Sequence, residues 1–430
     1  MTASADGSKR GVGPGSASIP GGAPIPDSVH DPAAPVTVVL VALGGYGEVY
    51  LESLLDDPRG AGCRIVGGVE PRPEGCRRLA ELGARDVPIF ATLEEFYREH
   101  RADLAVISSP IQLHAEHTCA ALAAGSHVLL EKPAAGSTAD VDRMIAAQDR
   151  AGRFVAVGFQ WCFAESLLAL KADILRGRLG RPLRGRSLTL WPRTEVYYGR
   201  NDWAGRKRDP AGRWILDSPA SNAMAHHLHN LLFLTGDALD RSAEPLLMEA
   251  RLARANDIET FDTAAIRVAT GNRAEILFLA SHAIAEEEAA DPRFTLELEE
   301  GTVTYPGGTE PMTARHRDGR VWTYPHPDAS AQVRKLWESV KAARAWPGSG
   351  RGGADAVAFP PCGLETARPH VAVVEALERS TVTPLAYDHQ AVRITQSSGG
   401  RLHWVDGLAD ALRAAYEAGE MPTLPASRSM

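Results

Sequence analysis

Apolar residues change their spacing at Val36. Before it, isolated aliphatics stand among glycines and prolines; after it, continuous apolar runs alternate with stretches of helical period. Val36–Val41 is an unbroken aliphatic run, the pattern of a strand buried on both faces. It stops at Ala42-Leu-Gly-Gly-Tyr-Gly47, and Leu51, Leu54 and Leu55 then mark one side of a helix. Arg64–Val69, Leu104–Ser108, His127–Leu130 and Phe154–Val157 are further strand runs. Thr92-Leu-Glu-Glu95 is a capping box opening a short helix with Leu93, Phe96 and Tyr97 inward, and 115–124 and 138–151 read as longer helices. Strand runs alternating with helices in this way predict a parallel, doubly wound sheet over residues 36–158.

Beyond it the pattern turns antiparallel. Thr263–Thr270 and Ala274–Ala280 predict a hairpin about Gly271-Asn272, and Phe294–Glu299 with Thr302–Tyr305 another turning at Glu300-Gly301. Residues 159–430 are therefore read as a second, α/β domain. Residues 1–35 hold six glycines, six prolines and no aromatic residue, which predicts a disordered leader with too little apolar surface to fold.

Composition narrows the function. Hydrophobic residues at 44% and charged residues at 23% suit a globular chain, and a net charge of −8 opposes binding to nucleic acid or anionic lipid. No apolar run approaches the ~18 residues of a bilayer crossing. The five cysteines are scattered, with no C-x-x-C pair, which points to a reducing, cytoplasmic setting and against a structural metal.

In a doubly wound sheet, ligands sit beyond the carboxyl ends of the strands. The first such turn is a pyrophosphate cradle: Ala42 occupies the first glycine position of the fingerprint, and Gly44, Gly45, Tyr46 and Gly47 follow. Taken alone, the turn also fits a nucleotide-free domain. Glu70, closing the second strand, supplies a carboxylate for ribose hydroxyls and favours NAD over NADP; Arg72, two residues on, favours the reverse. The chain has six lysines against forty arginines, and Lys132 stands directly after a buried strand. Lysine is a compact donor whose pKa falls when desolvated.

Pro110-x-x-x-His114 and Gly125-x-His-Val-x-x-Glu-Lys-Pro133 resemble the glucose–fructose oxidoreductase and inositol dehydrogenase family, Gfo/Idh/MocA. The similarity continues through Arg178-Leu-Gly180 and Trp214-Ile-Leu-Asp-Ser-Pro-Ala-Ser-Asn222, and to His226, ten residues before Gly236. The resemblance implies an N-terminal Rossmann domain and a C-terminal α/β domain with an open, mostly antiparallel sheet and a last helix packing back. It implies hydride transfer between NAD, with NADP as the second choice, and a secondary hydroxyl or ketone of a sugar or cyclic polyol. Lys132 then contacts substrate and cofactor, and His226 is the general acid/base. Ser109, Pro110, His114, Glu131, Gln160 and Trp161 line the cofactor site, Trp161 serving equally as interdomain packing. A homo-oligomer, dimer or tetramer, is implied as well.

One position departs from that family. Asparagine stands at 222 where an aspartate is usual, and the i, i+4 spacing on a helix predicts Asn222 and His226 on one face. An amide cannot raise the histidine pKa as a carboxylate does, and Asp217 is the substitute candidate. His227 and His229 invite a metal reading, but no carboxylate has ligand spacing, so no metal is expected. Tyr197–Arg206 is the substrate-loop candidate, with Arg200, Asn201 and Trp203 as its contacts. The competing function is a same-fold protein without net redox: an NAD-assisted epimerase, lyase or glycosidase, or a nucleotide-binding regulator.

Overall fold

The computed structural model describes residues 34–326, 330–346, 360–379, 384–387 and 390–425. The expected leader lies outside these residues except for its last two. The first sheet consists of β1 (Val36–Val41), β2 (Cys63–Val69), β3 (Ile89–Phe90), β4 (Leu104–Ile107), β5 (His127–Leu130) and β6 (Val155–Val157). All its strands pair parallel, in the order 3-2-1-4-5-6. That is the doubly wound order whose direction reverses between β1 and β4, so the ligand crevice opens above those two strands. Every residue of β4 and β5 is buried, as their unbroken apolar runs require. Between the strands run α1 (Gly47–Asp56), α2 (Leu79–Ala84), α3 (Leu93–Glu99), α4 (His114–Ala123) and α5 (Thr138–Ala151). Thr92 and Glu95 form the expected capping box on α3. Two-residue β3 ends the short run Val87-Pro88-Ile89-Phe90, too brief and proline-broken to stand as a strand by itself; it forms because the edge of β2 offers Gly68 and Val69 as pairing partners.

After α6 (Glu165–Leu175) the chain enters the second sheet at β7 (Pro182–Leu190). Short α7 (Glu195–Tyr198) and α8 (Ala225–Leu234) precede β8 (Pro245–Arg254), β9 (Thr263–Thr270) and β10 (Glu275–Ser281). Then come β11 (Ala290–Leu298), β12 (Gly301–Tyr305), β13 (Met312–His316), β14 (Val321–Tyr324), α9 (Ala331–Ala345), α10 (Leu364–Arg379) and β15 (Leu385–Ala386). The nine strands lie in the order 14-13-12-11-7-10-9-8-15. Only β7 with β10 and β8 with β15 are parallel, so the sheet is open and mostly antiparallel as expected. The second hairpin turns one residue earlier than expected. Leu298 pairs with Gly301, so Glu299-Glu300 make the turn and Gly301 is in the strand. A Cβ at Gly301 would lie 2.5 Å from the Arg315 carbonyl oxygen of β13, so the glycine serves close strand packing and not the turn.

The two halves interpenetrate. Helix α9 returns to pack on α1, β1, β4 and β5, and α10 packs on α5, β6 and α8. A hairpin of β16 (Val392–Ser397) and β17 (Gly400–Val405) leads to α11 (Leu408–Ala418), which lies on β7 and β10. Along β10, Ile276, Phe278 and Ala280 face the core shared with α8, while Leu277 and Leu279 face α11. This alternation covers both faces of the sheet's centre.

Candidate active site

The glycine turn joins β1 to α1. Ala42 has φ +68°, a left-handed conformation that costs a non-glycine residue about 1–2 kcal/mol. It keeps the backbone path of a glycine with a methyl group attached. Gly47 cannot be replaced in the same way, since a Cβ there would lie 2.1 Å from the Ala42 carbonyl oxygen. At Gly44 and Gly45 nothing lies within 4 Å of the built Cβ, and no side chain caps α1. The Gly47 and Val49 N–H groups bond back to the Gly44 and Tyr46 carbonyl oxygens, and it is the open backbone at Gly44 and Gly45, just before the helix start, that fits a pyrophosphate. The Glu70 carboxylate accepts the Leu43 N–H at 3.1 Å and the Arg72 N–H at 3.2 Å, so it sits against the turn it was expected to serve.

The next two strand ends are tied together by His114. Its ring lies between the carbonyl oxygens of Ser109 (2.8 Å) and Pro133 (2.9 Å). The ring is buried, and desolvation holds its pKa below the ordinary value. His114 and Ser109 therefore brace the loops on which Pro110 and Lys132 stand. Glu131 is likewise internal: its carboxylate meets the Tyr50 hydroxyl and the Lys335 ammonium in the core. Burial raises the Glu131 pKa, but the Lys335 charge outweighs it and the net direction is down. Lys335, on α9, also reaches the Tyr46 hydroxyl at 3.2 Å and so supports the glycine turn from beneath.

Lys132, whose peptide to Pro133 is cis, extends from the end of β5 into the crevice. Its Nζ donates to the Asn222 carbonyl oxygen at 2.8 Å and to Asn222 Oδ1 at 2.9 Å. Asn222 Nδ2 in turn donates to Asp217 Oδ1 at 2.8 Å. Asp217 Oδ2 accepts the Gly205 N–H at 2.7 Å and faces the Arg200 guanidinium at 3.6 Å. Asp217 is 3% exposed and burial raises its pKa; burial lowers that of Lys132 to about 8. Leu216 just before it has φ +57°, a conformation a leucine keeps only where its surroundings impose it. That turn directs Asp217 inward.

Asn222 and His226 do not share a continuous α-helix. Pro219–Ala223 forms a π-turn, Met224 leaves helical geometry (φ −115°, ψ 14°), and α8 begins at Ala225. The side chain of Asn222 is therefore spent on Lys132 and Asp217, which corrects the expectation that it accompanies His226 on one helix face. His226 packs edge-on to Phe159 at 5.8 Å, and its Nδ1 is buried without a hydrogen bond. Burial first, and the Lys132 charge second, hold its pKa well below the ordinary range. The result is a neutral imidazole within the field of an ammonium.

The substrate-loop candidates divide. Arg200 stacks on Tyr197 (3.8 Å to the ring centroid) and Trp203 (5.0 Å), and through Asp217 it belongs to the Lys132 network. Asn201 Oδ1 accepts the N–H groups of Trp203 and Ala204 at 3.1 and 2.9 Å, shaping the loop. Trp161 contacts Tyr305 (5.4 Å) and His227 (5.9 Å), the packing alternative of its two expected roles; Gln160 follows β6 beside it. Sequence reasoning missed Lys335 and Phe159, which no motif marks. Lys335 signals itself only as a rare lysine on the buried face of a mostly apolar helix stripe.

Residues 36–159 match the oxidoreductase family with an NAD-binding Rossmann fold, Gfo/Idh/MocA. Inositol 2-dehydrogenase of Klebsiella pneumoniae (strain 342) is 27% identical over 199 residues, 46% of this chain and 54% of that protein. A 1-carboxy-3-chloro-3,4-dihydroxycyclohexa-1,5-diene dehydrogenase of Comamonas testosteroni is 37% identical over 143 residues, 33% of this chain and 35% of that one. The chain thus spans about half or less of the length of these curated relatives. Among solved structures, the WlbA dehydrogenase of Bordetella pertussis, in complex with NADH and UDP-GlcNAcA, superposes with a TM-score of 0.62 at 23% identity. That match covers 80% of this chain and 96% of the other, and it establishes a shared fold. No helix among the described residues is long and apolar enough to cross a membrane.

Proposed function

From a chain that carries the NAD-binding domain of the Gfo/Idh/MocA oxidoreductase family, we propose a dehydrogenase of a sugar or cyclic polyol, using NAD. One observation carries the reading: the Lys132 ammonium is held by Asn222 in the crevice while the His226 imidazole, in its electrostatic reach, makes no hydrogen bond with the described residues; its Nδ1 is buried, so Nε2 is the nitrogen left to meet a substrate. The nicotinamide, when bound, accepts or returns a hydride at the substrate carbon. Oxidising a secondary alcohol also requires removal of the hydroxyl proton. A neutral His226 is the base for that proton, and Lys132 stabilises the developing alkoxide. Asn222, Asp217 and Arg200 are positioning residues that hold Lys132. The Ala42–Gly47 turn and Glu70 bind the dinucleotide, and open space above Gly44 and Gly45 supports that assignment.

The test is nicotinamide absorbance across a panel of cyclic polyols, hexoses and nucleotide sugars, with NAD and NADP in separate arms. Accumulation of NADH with one of them, lost in His226→Ala, is the expected result. Substrate turnover without net NADH favours the epimerase, lyase or glycosidase alternative, and no binding of either dinucleotide overturns the scheme. We also propose a cytoplasmic homo-oligomer, a dimer or tetramer; exposed Leu246 and Leu247 on β8 (68% and 74%) support an interface on that strand. Light scattering that returns a monomer refutes the oligomer.

A further inference from the structure

Behind the active-site helix, three side chains that the proposed reaction does not use come together. Cys162 stands in the turn Gln160–Phe163 after β6, His229 on α8 and Cys362 just before α10. All three are buried, and one ligand atom from each lies within 4.8 Å of the other two. Cys162 Sγ is 3.5 Å from His229 Nδ1. A cation about 2.3 Å from sulfur and about 2.0 Å from nitrogen at a tetrahedral angle places those two atoms roughly 3.5 Å apart. His229 Nε2 faces the Thr366 carbonyl oxygen at 3.3 Å, with Cys362 Sγ at 3.9 Å. An Nε2–H donated to a carbonyl leaves Nδ1 free to ligate, the usual second contact of a metal-bound histidine.

The local charge points the same way. Lys171 is fully buried, and its ammonium donates to the carbonyl oxygens of Phe233 and Arg241 and lies 4.0 Å from the Phe233 ring centroid. Among the described residues no carboxylate forms an ion pair with it; the ionisable groups that act on it are Cys162, Asp237, Asp240 and Cys362. Asp237 and Asp240 act on this buried cation without touching it, and a bis-thiolate centre adds further negative charge nearby, lowering the cost of burying it. The donors are two sulfurs and an imidazole with no oxygen, which excludes the hard cations Mg²⁺ and Ca²⁺ in favour of soft ones.

We propose that Cys162, Cys362 and His229 Nδ1 bind one thiophilic cation, Cu(I) or Zn(II), clamping the exit of β6, helix α8 and the start of α10. Uptake releases one proton from each thiol, and no electrons move. The site sits directly behind the chemistry, because His229 stacks on Phe159 (3.8 Å, 5°) and Phe159 meets His226 edge-on. Its ligands are 67 and 133 residues apart, which is why cysteine spacing predicts no metal here.

The full-length chain, reduced and stripped with a chelator, is titrated anaerobically with Zn²⁺ or Cu⁺ and passed through a desalting column. Elemental analysis is expected to find one equivalent of one or both ions, and the two arms distinguish them. Co²⁺ in place of Zn²⁺ is expected to give sulfur-to-metal charge-transfer bands. Cys162→Ser and Cys362→Ser should each abolish uptake, while Cys119→Ser should keep the full equivalent. Loss of both ions from the wild type, or uptake unchanged in the two serine variants, overturns the proposal. So does a native Cys162–Cys362 disulfide whose reduction restores no uptake. Should the serine variants not fold, the wild-type Co²⁺ spectrum decides alone, and absence of the sulfur bands is the negative result.

Discussion

Lys132 and Asn222, ninety positions apart, are joined by two hydrogen bonds, one to the asparagine side chain at 2.9 Å and one to its carbonyl oxygen at 2.8 Å. The ammonium therefore touches neutral oxygens, and the nearest carboxylate of that chain, Asp217, acts through the amide. This arrangement explains how Lys132 is desolvated to a pKa of about 8 while remaining fixed in place.

A pH profile follows from those shifts. Lys132 stabilises an alkoxide only as an ammonium, a form lost as pH rises through about 8. His226 serves as base only when neutral, and its depressed pKa keeps it neutral well below the ordinary ~6.5. The expected kcat/KM for alcohol oxidation is flat through mildly acidic pH and falls above about 8. A falling acidic limb near ~6.5 would contradict this. Lys132→Met should lower kcat by roughly 10²–10³, as for loss of an oxyanion donor, with NADH binding retained.

Asn222→Asp puts a carboxylate in direct contact with Nζ. An opposite charge at that range raises an ammonium pKa by about 1–3 units, so the alkaline limb should move upward by about that amount. Asn222→Ala, which leaves Nζ less restrained, should raise KM and lower kcat without that displacement. An unmoved limb in Asn222→Asp would dissociate Lys132 from the alkaline limb.

The glycine turn makes opposite demands at its two ends. Ala42→Gly relieves the left-handed strain and adds unfolded-state entropy, for a net gain of about 0.5–1 kcal/mol in urea unfolding with dinucleotide affinity unchanged. Gly47→Ala forces a methyl group onto the Ala42 carbonyl oxygen, and should cost about 1–3 kcal/mol and weaken NADH binding.

Glu131 and Lys335 form a buried pair, 6% and 1% exposed. Lys335→Met alone strands the carboxylate and should destabilise by about 3–5 kcal/mol, whereas the double variant Glu131→Gln, Lys335→Met should recover most of the loss. A double variant whose loss equals the sum of those of Lys335→Met and Glu131→Gln alone would show that the pair is not coupled.

What the sequence by itself determined is local. The buried runs, the capping box on α3, the glycine turn and the lysine following β5 are set by side-chain period and backbone preference, so they are legible from neighbours in the chain. The resemblance to a family added His226 and the cofactor. What only the tertiary structure decided is which distant groups meet. Asp217 reaches Asn222, and through it Lys132, because Leu216 takes a left-handed turn and a π-turn rotates Asn222 away from α8, and no repeat pattern encodes either. Lys335 finds Glu131 across 204 positions because α9 returns to cover the first sheet. Cys162, His229 and Cys362 meet for a similar reason: α8 and α10 pack together near the end of β6. Buried polar groups must find partners wherever packing brings them, and packing is a property of the whole fold.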